Sequence, residues 1–138
     1  MPLPVAHALI GASVVSALRP GFTLQRDWRK LAFGAFLGIL PDFDYLLNLS
    51  PGLGGGWHHG FTHSIAFSFL IGLLAPAVVG PVSTRNVLTY SLTTMSHPLL
   101  DFLFTESWGV ELFWPFSSQR FGGRLPGPVD YRGLPYLT

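Results

Sequence analysis

Residues 65–82 read IAFSFLIGLLAPAVVGPV, eighteen positions without a charge, and they lie within a longer stretch, Tyr45 to Thr84, that contains no Asp, Glu, Lys or Arg. An unbroken apolar run of this length is the sequence signature of a membrane helix. Three shorter apolar runs surround it: Leu3 to Leu18, Leu31 to Leu49 with Pro41 and two aspartates inside it, and Asn86 to Leu100. A helix of about 15 residues reaches only about 22 Å, so these three tilt little, extend into the headgroups or fail to cross fully. The pattern predicts an all-α integral membrane bundle of four short helices. Residues 1–138 then form one domain, with 1–101 as the bundle and 102–138 as an aromatic-rich interfacial segment and tail.

The whole-chain numbers agree. At 138 residues the chain is 49% hydrophobic and only 11% charged, with a mean hydropathy of +0.42, which excludes disorder and disfavours a soluble helical metalloprotein. A net charge of +1 gives no basic field for a nucleic-acid backbone. Cysteine is absent, so a metal must be held by His and carboxylate groups. The first run lacks a basic segment before Arg19, so it reads as an uncleaved helix and not a secretory signal.

Arg19, Arg26, Arg29 and Lys30 face a single Asp27 between the first and second runs, which predicts a cytoplasmic loop. With helices alternating in direction, the opposite end of the bundle collects His7, Asp42, Asp44, His58, His59, His63, His97 and Asp101. These are all five histidines and three of the seven acids. An Asp at the centre of a membrane helix costs about 2.5 to 3.5 kcal/mol on the insertion scale, so the aspartates need strong partners. One or two divalent cations would supply them, with zinc expected and manganese or iron as alternatives. His97 and Asp101 are four apart, a spacing that stacks side chains on one helix face; His59 and His63 share this interval, while His58 and His63 fit a turn leading into the helix, and spacing does not choose between them. Pro98 disfavours helical geometry at His97 and suggests a kink or fresh helix start. Pro41 suggests irregular backbone around Asp42 and Asp44. Simpler roles also exist: Asp42 or Asp44 as helix caps, Ser64 as a helix-start hydroxyl, and His58 and His59 as loop residues after Gly54-Gly55-Gly56. Gly34 and Gly38 have the spacing of close helix packing.

The segment His58-His59-Gly60-Phe61-Thr62-His63-Ser64 resembles the His-Arg-Gly-x-Thr-His-Ser motif of the YdjM-like family of membrane-bound, predicted metal-dependent hydrolases, whose founding member belongs to a LexA-regulated gene set. His7-Ala8-Leu9, Leu40-Pro41-Asp42-Phe43-Asp44, the pair His97 and Asp101, and Trp114-Pro115-Phe116 match further motifs in order. The resemblance implies a multi-pass inner-membrane protein with a hydrolytic metal site, and a remoter similarity to zinc-dependent phospholipase C and P1-type nucleases implies phosphoester substrates. The family Arg is His59 here. The expected ligands are His7, Asp42, His58, His63, His97 and Asp101. Asp44 is expected as a ligand or general base, and His59 as an outer or substrate contact, so Asp44 and His59 are the catalytic candidates. Membrane lipid and a small or lipid-linked substrate are the expected partners, with the site toward the outer face. The rival reading is a non-enzymatic membrane metal binder or transporter, disfavoured by the few polar residues expected at mid-depth in helices one, three and four. The aromatic tail from Phe102 to Phe121 is expected to lie on the surface at the water–lipid boundary, and Gly122 to Thr138 to be irregular.

Overall fold

A computed structural model describes residues 3–48, 58–104, 109–122 and 125–128. Four helices of ten residues or more make the bundle among them: α1 (Pro4–Ala17), α2 (Leu24–Ile39), α4 (Ile65–Leu74) and α6 (Thr84–Phe104). Short turns join them. A 3-10 turn over Leu40–Asp44 leads into α3 (Tyr45–Asn48), a second over Phe61–His63 precedes α4, and α5 (Pro76–Val79) follows it. Glu106, Trp108, Arg124 and Arg132 of the tail lie outside the described residues, as do Gly54, Gly55 and Gly56.

Helix α2 begins seven residues before the apolar run, so Arg26, Asp27, Arg29 and Lys30 sit in its first turns and not in a loop. The reason is local. Asp27 accepts the Thr23 backbone N–H at 3.2 Å, as an acidic side chain does at a helix N-terminus. It also pairs with Lys30 at 2.7 Å and Arg26 at 2.9 Å. Lys30, then Arg26, then the Thr23 N–H hold the Asp27 carboxyl well below the usual carboxylate range.

The 65–82 run does not form one helix. Helix α4 stops at Leu74, and Pro76 opens the separate α5, because a proline ring cannot donate to the preceding turn. Helix α6 has the length to span, 21 residues, but carries Thr, Ser, Asn, His and Asp along its inner side. No helix among the described residues is therefore long and apolar enough to cross a membrane, which departs from the membrane helix expected over residues 65–82, while the three shorter runs read as marginal from the outset.

What the bundle does show is inversion of the usual inside and outside. Apart from prolines and glycines, only six apolar residues are buried among the described ones: Val15, Leu37, Ala75, Tyr90, Val110 and Leu112. Fifteen buried residues are polar or charged. Large apolar side chains point outward instead, including Val5 and Leu9 on α1, Phe69, Leu70, Leu73 and Leu74 on α4, and Leu88, Leu92, Leu99 and Leu103 on α6. An apolar exterior this extensive marks a lipid-facing or protein-facing surface.

Close backbone approach replaces apolar packing as the organising contact between α1 and α2. A Cβ on Gly11 would collide with the Gly34 carbonyl and come within 2.8 Å of the Gly38 Cα, and one on Gly38 would collide with the His7 carbonyl. The Gly34 and Gly38 spacing thus performs the packing role read from the sequence, with Gly11 as its counterpart. Gly72 seats α4 against Ser91 of α6 in the same way. The interior hydroxyls satisfy themselves locally: Thr93 donates to the Thr89 carbonyl at 2.7 Å and Thr94 to the Tyr90 carbonyl at 3.1 Å. The mid-depth of α6 is consequently more polar inside than the sequence reading held.

The tail also departs from expectation. Instead of lying wholly on the surface, residues 109–122 strap back over the bundle. Val110 and Leu112 are buried, the Ile65 N–H donates to the Leu112 carbonyl at 3.0 Å, and the Glu111 N–H donates to the His59 carbonyl at 3.1 Å. Val110 and Phe121 exchange backbone hydrogen bonds at 2.9 and 3.0 Å. Phe113, Trp114 and Phe116 remain exposed. Beyond them β1 (Phe121–Gly122) pairs antiparallel with β2 (Leu125–Pro128), a small hairpin where an irregular tail was expected.

Because the obstacle at Gly38 is backbone that cannot rotate away, Gly38→Leu is expected to lower stability by about 3 kcal/mol or prevent folding. Thermal unfolding of the detergent-purified protein measures this, with the exposed Leu99→Ala as a control that leaves the midpoint within a degree or two.

Candidate metal centre

The His and Asp side chains of four separate segments converge at one end of the bundle. Helix α1 supplies His7; the 3-10 turn after α2 supplies Asp42 and Asp44, because Pro41 ends the α-helical geometry there. Residues 58–63 supply His58, His59 and His63. Helix α6 supplies His97 and Asp101, and it runs through Pro98 as one helix, so the kink or restart expected at that proline is not needed to bring the pair together. His97 Nε2 and Asp101 Oδ2 are 3.1 Å apart.

One ligand atom from each of Asp42, His63, His97 and Asp101 falls within 4.8 Å of the others. His97 Nε2 lies 3.2 Å from Asp42 Oδ1 and 3.1 Å from His63 Nε2. His63 Nε2 lies 3.3 Å from Asp101 Oδ2 and 3.7 Å from Asp42 Oδ1. His58, His59 and His63 form a second close group. His59 Nε2 is 3.9 Å from Asp101 Oδ2.

The outer nitrogens fix what the inner ones offer. His97 Nδ1–H donates to the Gly38 carbonyl at 2.6 Å, and His59 Nδ1–H donates to the Gly109 carbonyl at 3.1 Å. A carbonyl only accepts, so each ring presents Nε2 as a bare lone pair when neutral. For His63 the orienting partner is Thr62. The Thr62 hydroxyl donates to Asp44 Oδ2 at 2.6 Å and so accepts from His63 Nδ1–H at 3.0 Å. With all three rings neutral, three imidazole lone pairs and the carboxylates of Asp42 and Asp101 therefore face one another, all acceptors.

Such a ring of acceptors cannot be stable without positive charge. Asp42 Oδ1, both oxygens of Asp101, His59 Nε2 and His7 Nδ1 are buried and make no hydrogen bond, an arrangement that is costly unless a cation completes it. Burial pulls the His63 imidazole down, but Asp101, Asp42 and Asp44 outweigh it and hold it up to about 10. A proton on His63 thus stands where a metal ion would. His59 behaves oppositely: burial, then His63 and His58, push it down to about 3, leaving it a neutral nitrogen donor. Nitrogen and carboxylate ligands at this spacing, with tautomers set by outer hydrogen bonds, fit a divalent cation.

The sequence-derived candidates do not all occupy the places expected. Asp44 is fully buried and both of its oxygens are engaged, Oδ1 by His58 Nδ1 at 2.8 Å and Oδ2 by Thr62. His58 is about a quarter exposed and hydrogen-bonded to Asp44, whereas His59, expected as the outer residue, is 1% exposed and aimed at Asp101. His59 reaches that position with φ of +64°, a left-handed conformation that costs a non-glycine residue about 1 kcal/mol. His7 stacks on the His97 ring at 3.8 Å and brings Nε2 to 3.5 Å from Asp101 Oδ1. Ser64 caps α4, accepting the Phe67 N–H at 3.0 Å, and the capping role considered for it holds.

Three contributors escaped the sequence reading. Thr62 relays between Asp44 and His63; its signal was its place within the long motif. The Gly38 and Gly109 carbonyls orient His97 and His59, and backbone oxygens leave no residue-type signal at all.

Fold and site together define a helical bundle with an apolar exterior and an internal His/Asp cluster suited to a metal ion. The chain matches the family model described as YdjM inner membrane protein over residues 1–133 and belongs to that family. Inner membrane protein YbcI of Escherichia coli (strain K12) is 35% identical over 134 residues, covering 88% of this chain and 72% of that protein. No solved structure gives a significant match.

Two outcomes are expected. His63→Ala and Asp101→Ala each lower the metal-to-protein ratio measured by elemental analysis, while Ser13→Ala, on exposed α1 surface, retains it. Since His63 is protonated at neutral pH before the ion enters, metal uptake releases a proton, and affinity rises with pH up to about 10. Calorimetric titration in two buffers of different ionisation enthalpy reads the proton count directly.

Proposed function

We propose that this protein is a membrane-embedded, metal-dependent hydrolase of phosphoester or lipid-linked substrates. The observation that carries the proposal is the convergence of Asp42, His63, His97 and Asp101 within 4.8 Å at a point where Asp42 alone among the four is partly exposed, its side chain 25% accessible. That opening offers access to the cluster from outside the protein. Zinc, manganese or iron(II) suits the donor set. When bound, such an ion supplies Lewis acidity toward a phosphoryl or acyl oxygen and acidifies water.

The protein groups have separable tasks. Asp42, His63, His97 and Asp101 hold the ion, with His59 Nε2 as the adjoining nitrogen. Asp44 is a positioning residue: through Thr62 it sets the His63 tautomer, and through its other oxygen it orients His58. His58 then has Nδ1–H committed to Asp44 and Nε2 free to carry a proton at the accessible edge of the cluster, the arrangement that suits a general base. His7 buttresses His97 by ring stacking. The apolar exterior supports burial of the bundle in the inner membrane, with the cluster end facing away from the cytoplasm because the basic residues Arg19, Arg26, Arg29 and Lys30 occupy the other end.

Detergent-purified protein loaded with zinc or manganese is expected to hydrolyse at least one member of a panel of phosphomonoesters, phosphodiesters and lipid phosphates. His58→Gln is expected to reduce kcat by 10²- to 10⁴-fold, the usual range for a lost proton-transfer group, without changing the bound metal. A metal-replete protein inert toward the whole panel overturns the hydrolase reading and leaves a non-enzymatic metal binder.

A further inference from the structure

The end of the bundle remote from the His/Asp cluster carries a second feature. A cleft of about 360 Å³ opens between the first turns of α2 and the short helix α5, lined by Arg26, Arg29, Lys30, Val78 and Val79. Asn86 and Asp101 on α6 mark the two ends, fifteen residues and roughly 22 Å apart along the helix, so the cleft is separate from the metal centre.

Its chemistry is two-sided. One wall is cationic. Asp27 holds Lys30 Nζ at 2.7 Å and the Arg26 guanidinium at 2.9 Å, which fixes the two heads side by side while neutralising one of them. Arg29 lies over the face of Trp28 at 5.5 Å and has no part in the Asp27 pairs. Three cations against one carboxylate leave a surplus of two positive charges around the cleft. The other wall is apolar, formed by Val78 and Val79, and Val78 is 76% exposed.

We infer that this cleft binds the phosphate of an anionic phospholipid, with Arg29 and the Asp27-clamped Arg26 and Lys30 around the headgroup and the acyl chains along Val78 and Val79. Charge complementarity selects the anion, and the adjoining apolar wall selects an amphiphile over a free anion. A water-soluble phosphate would gain nothing from Val78, whereas a lipid phosphate places its glycerol and chains there. Basic clefts beside apolar helix surfaces take anionic headgroups for these two reasons, each cation contributing about 1 kcal/mol. The site is independent of the proposed hydrolase activity.

The test uses the full chain in detergent micelles titrated with fluorescent phosphatidylglycerol, with phosphatidylcholine and inorganic phosphate as the other arms. Phosphatidylglycerol is expected to bind in preference to phosphatidylcholine and to resist displacement by millimolar phosphate. Arg29→Gln is expected to weaken it about fivefold, the loss of one such contact. Arg29→Lys should restore most of the affinity, and Val78→Glu should abolish binding by placing a carboxylate on the apolar wall. Unaltered metal content in each variant reports an intact fold at the far end. Equal binding of the two lipids, or affinities unchanged in both Arg29→Gln and Val78→Glu, overturns the inference. Displacement by inorganic phosphate at the same concentration overturns the lipid assignment in favour of a free-anion site.

Discussion

A surplus of buried acceptors governs this molecule. The two oxygens of Asp101, Asp42 Oδ1 and the Nε2 lone pairs of His59, His63 and His97 are brought together where water does not reach most of them, and mutual repulsion must be relieved by a cation or a proton. The His63 proton, held by the surrounding carboxylates, is one relief, and a divalent ion is the stronger. Much else in the fold serves to keep these groups in place despite their cost. The Gly38 and Gly109 carbonyls and the Asp44–Thr62 pair prevent the rings from turning their N–H groups inward, and the 109–122 strap closes over His59.

The same constraint accounts for the inverted distribution of polarity. A bundle that commits its interior to imidazoles, carboxylates and hydroxyls retains little space for an apolar core, and the one present is small: Val15, Leu37, Ala75 and Tyr90 with partly buried neighbours. Helices α1 and α2 instead associate through backbone contact at Gly11, Gly34 and Gly38. The Leu, Phe and Val side chains that would fill an ordinary core face outward, in keeping with membership of an inner membrane protein family. At the far end, Arg19 ties α1 to α6 through Tyr90 at 2.7 Å and Asn86 at 3.2 Å, so polar contacts secure both ends of the bundle.

Several sequence inferences and their limits follow from the range of the forces involved. Pro41 correctly signals irregular backbone around Asp42 and Asp44, since a proline acts on its own turn. Pro76 acts equally locally, yet the continuous hydropathy of residues 65–82 masks it and suggests a single helix where α4 and α5 are two. At Pro98 the fresh helix start does not occur, and α6 continues through the proline as one helix. The basic residues after Arg19 resemble a loop by charge alone, yet the Asp27 hydrogen bond to the Thr23 N–H places Arg26, Arg29 and Lys30 in the first turns of α2.

By itself the sequence determined the helical character, the apolar exterior's raw material, and the gathering of all five histidines with Asp42, Asp44 and Asp101 at one end, because these depend on residue type, spacing and alternation of direction. Only the tertiary structure decided which groups aim inward. His59 rather than His58 lies in the interior, Asp44 supports His63 instead of standing free, and a tail that reads as an interfacial anchor supplies the Gly109 carbonyl. Those outcomes depend on a left-handed residue at position 59 and on hydrogen bonds to backbone oxygens from segments distant in the chain. A backbone carbonyl is common to every residue, so no pattern of side chains can announce it.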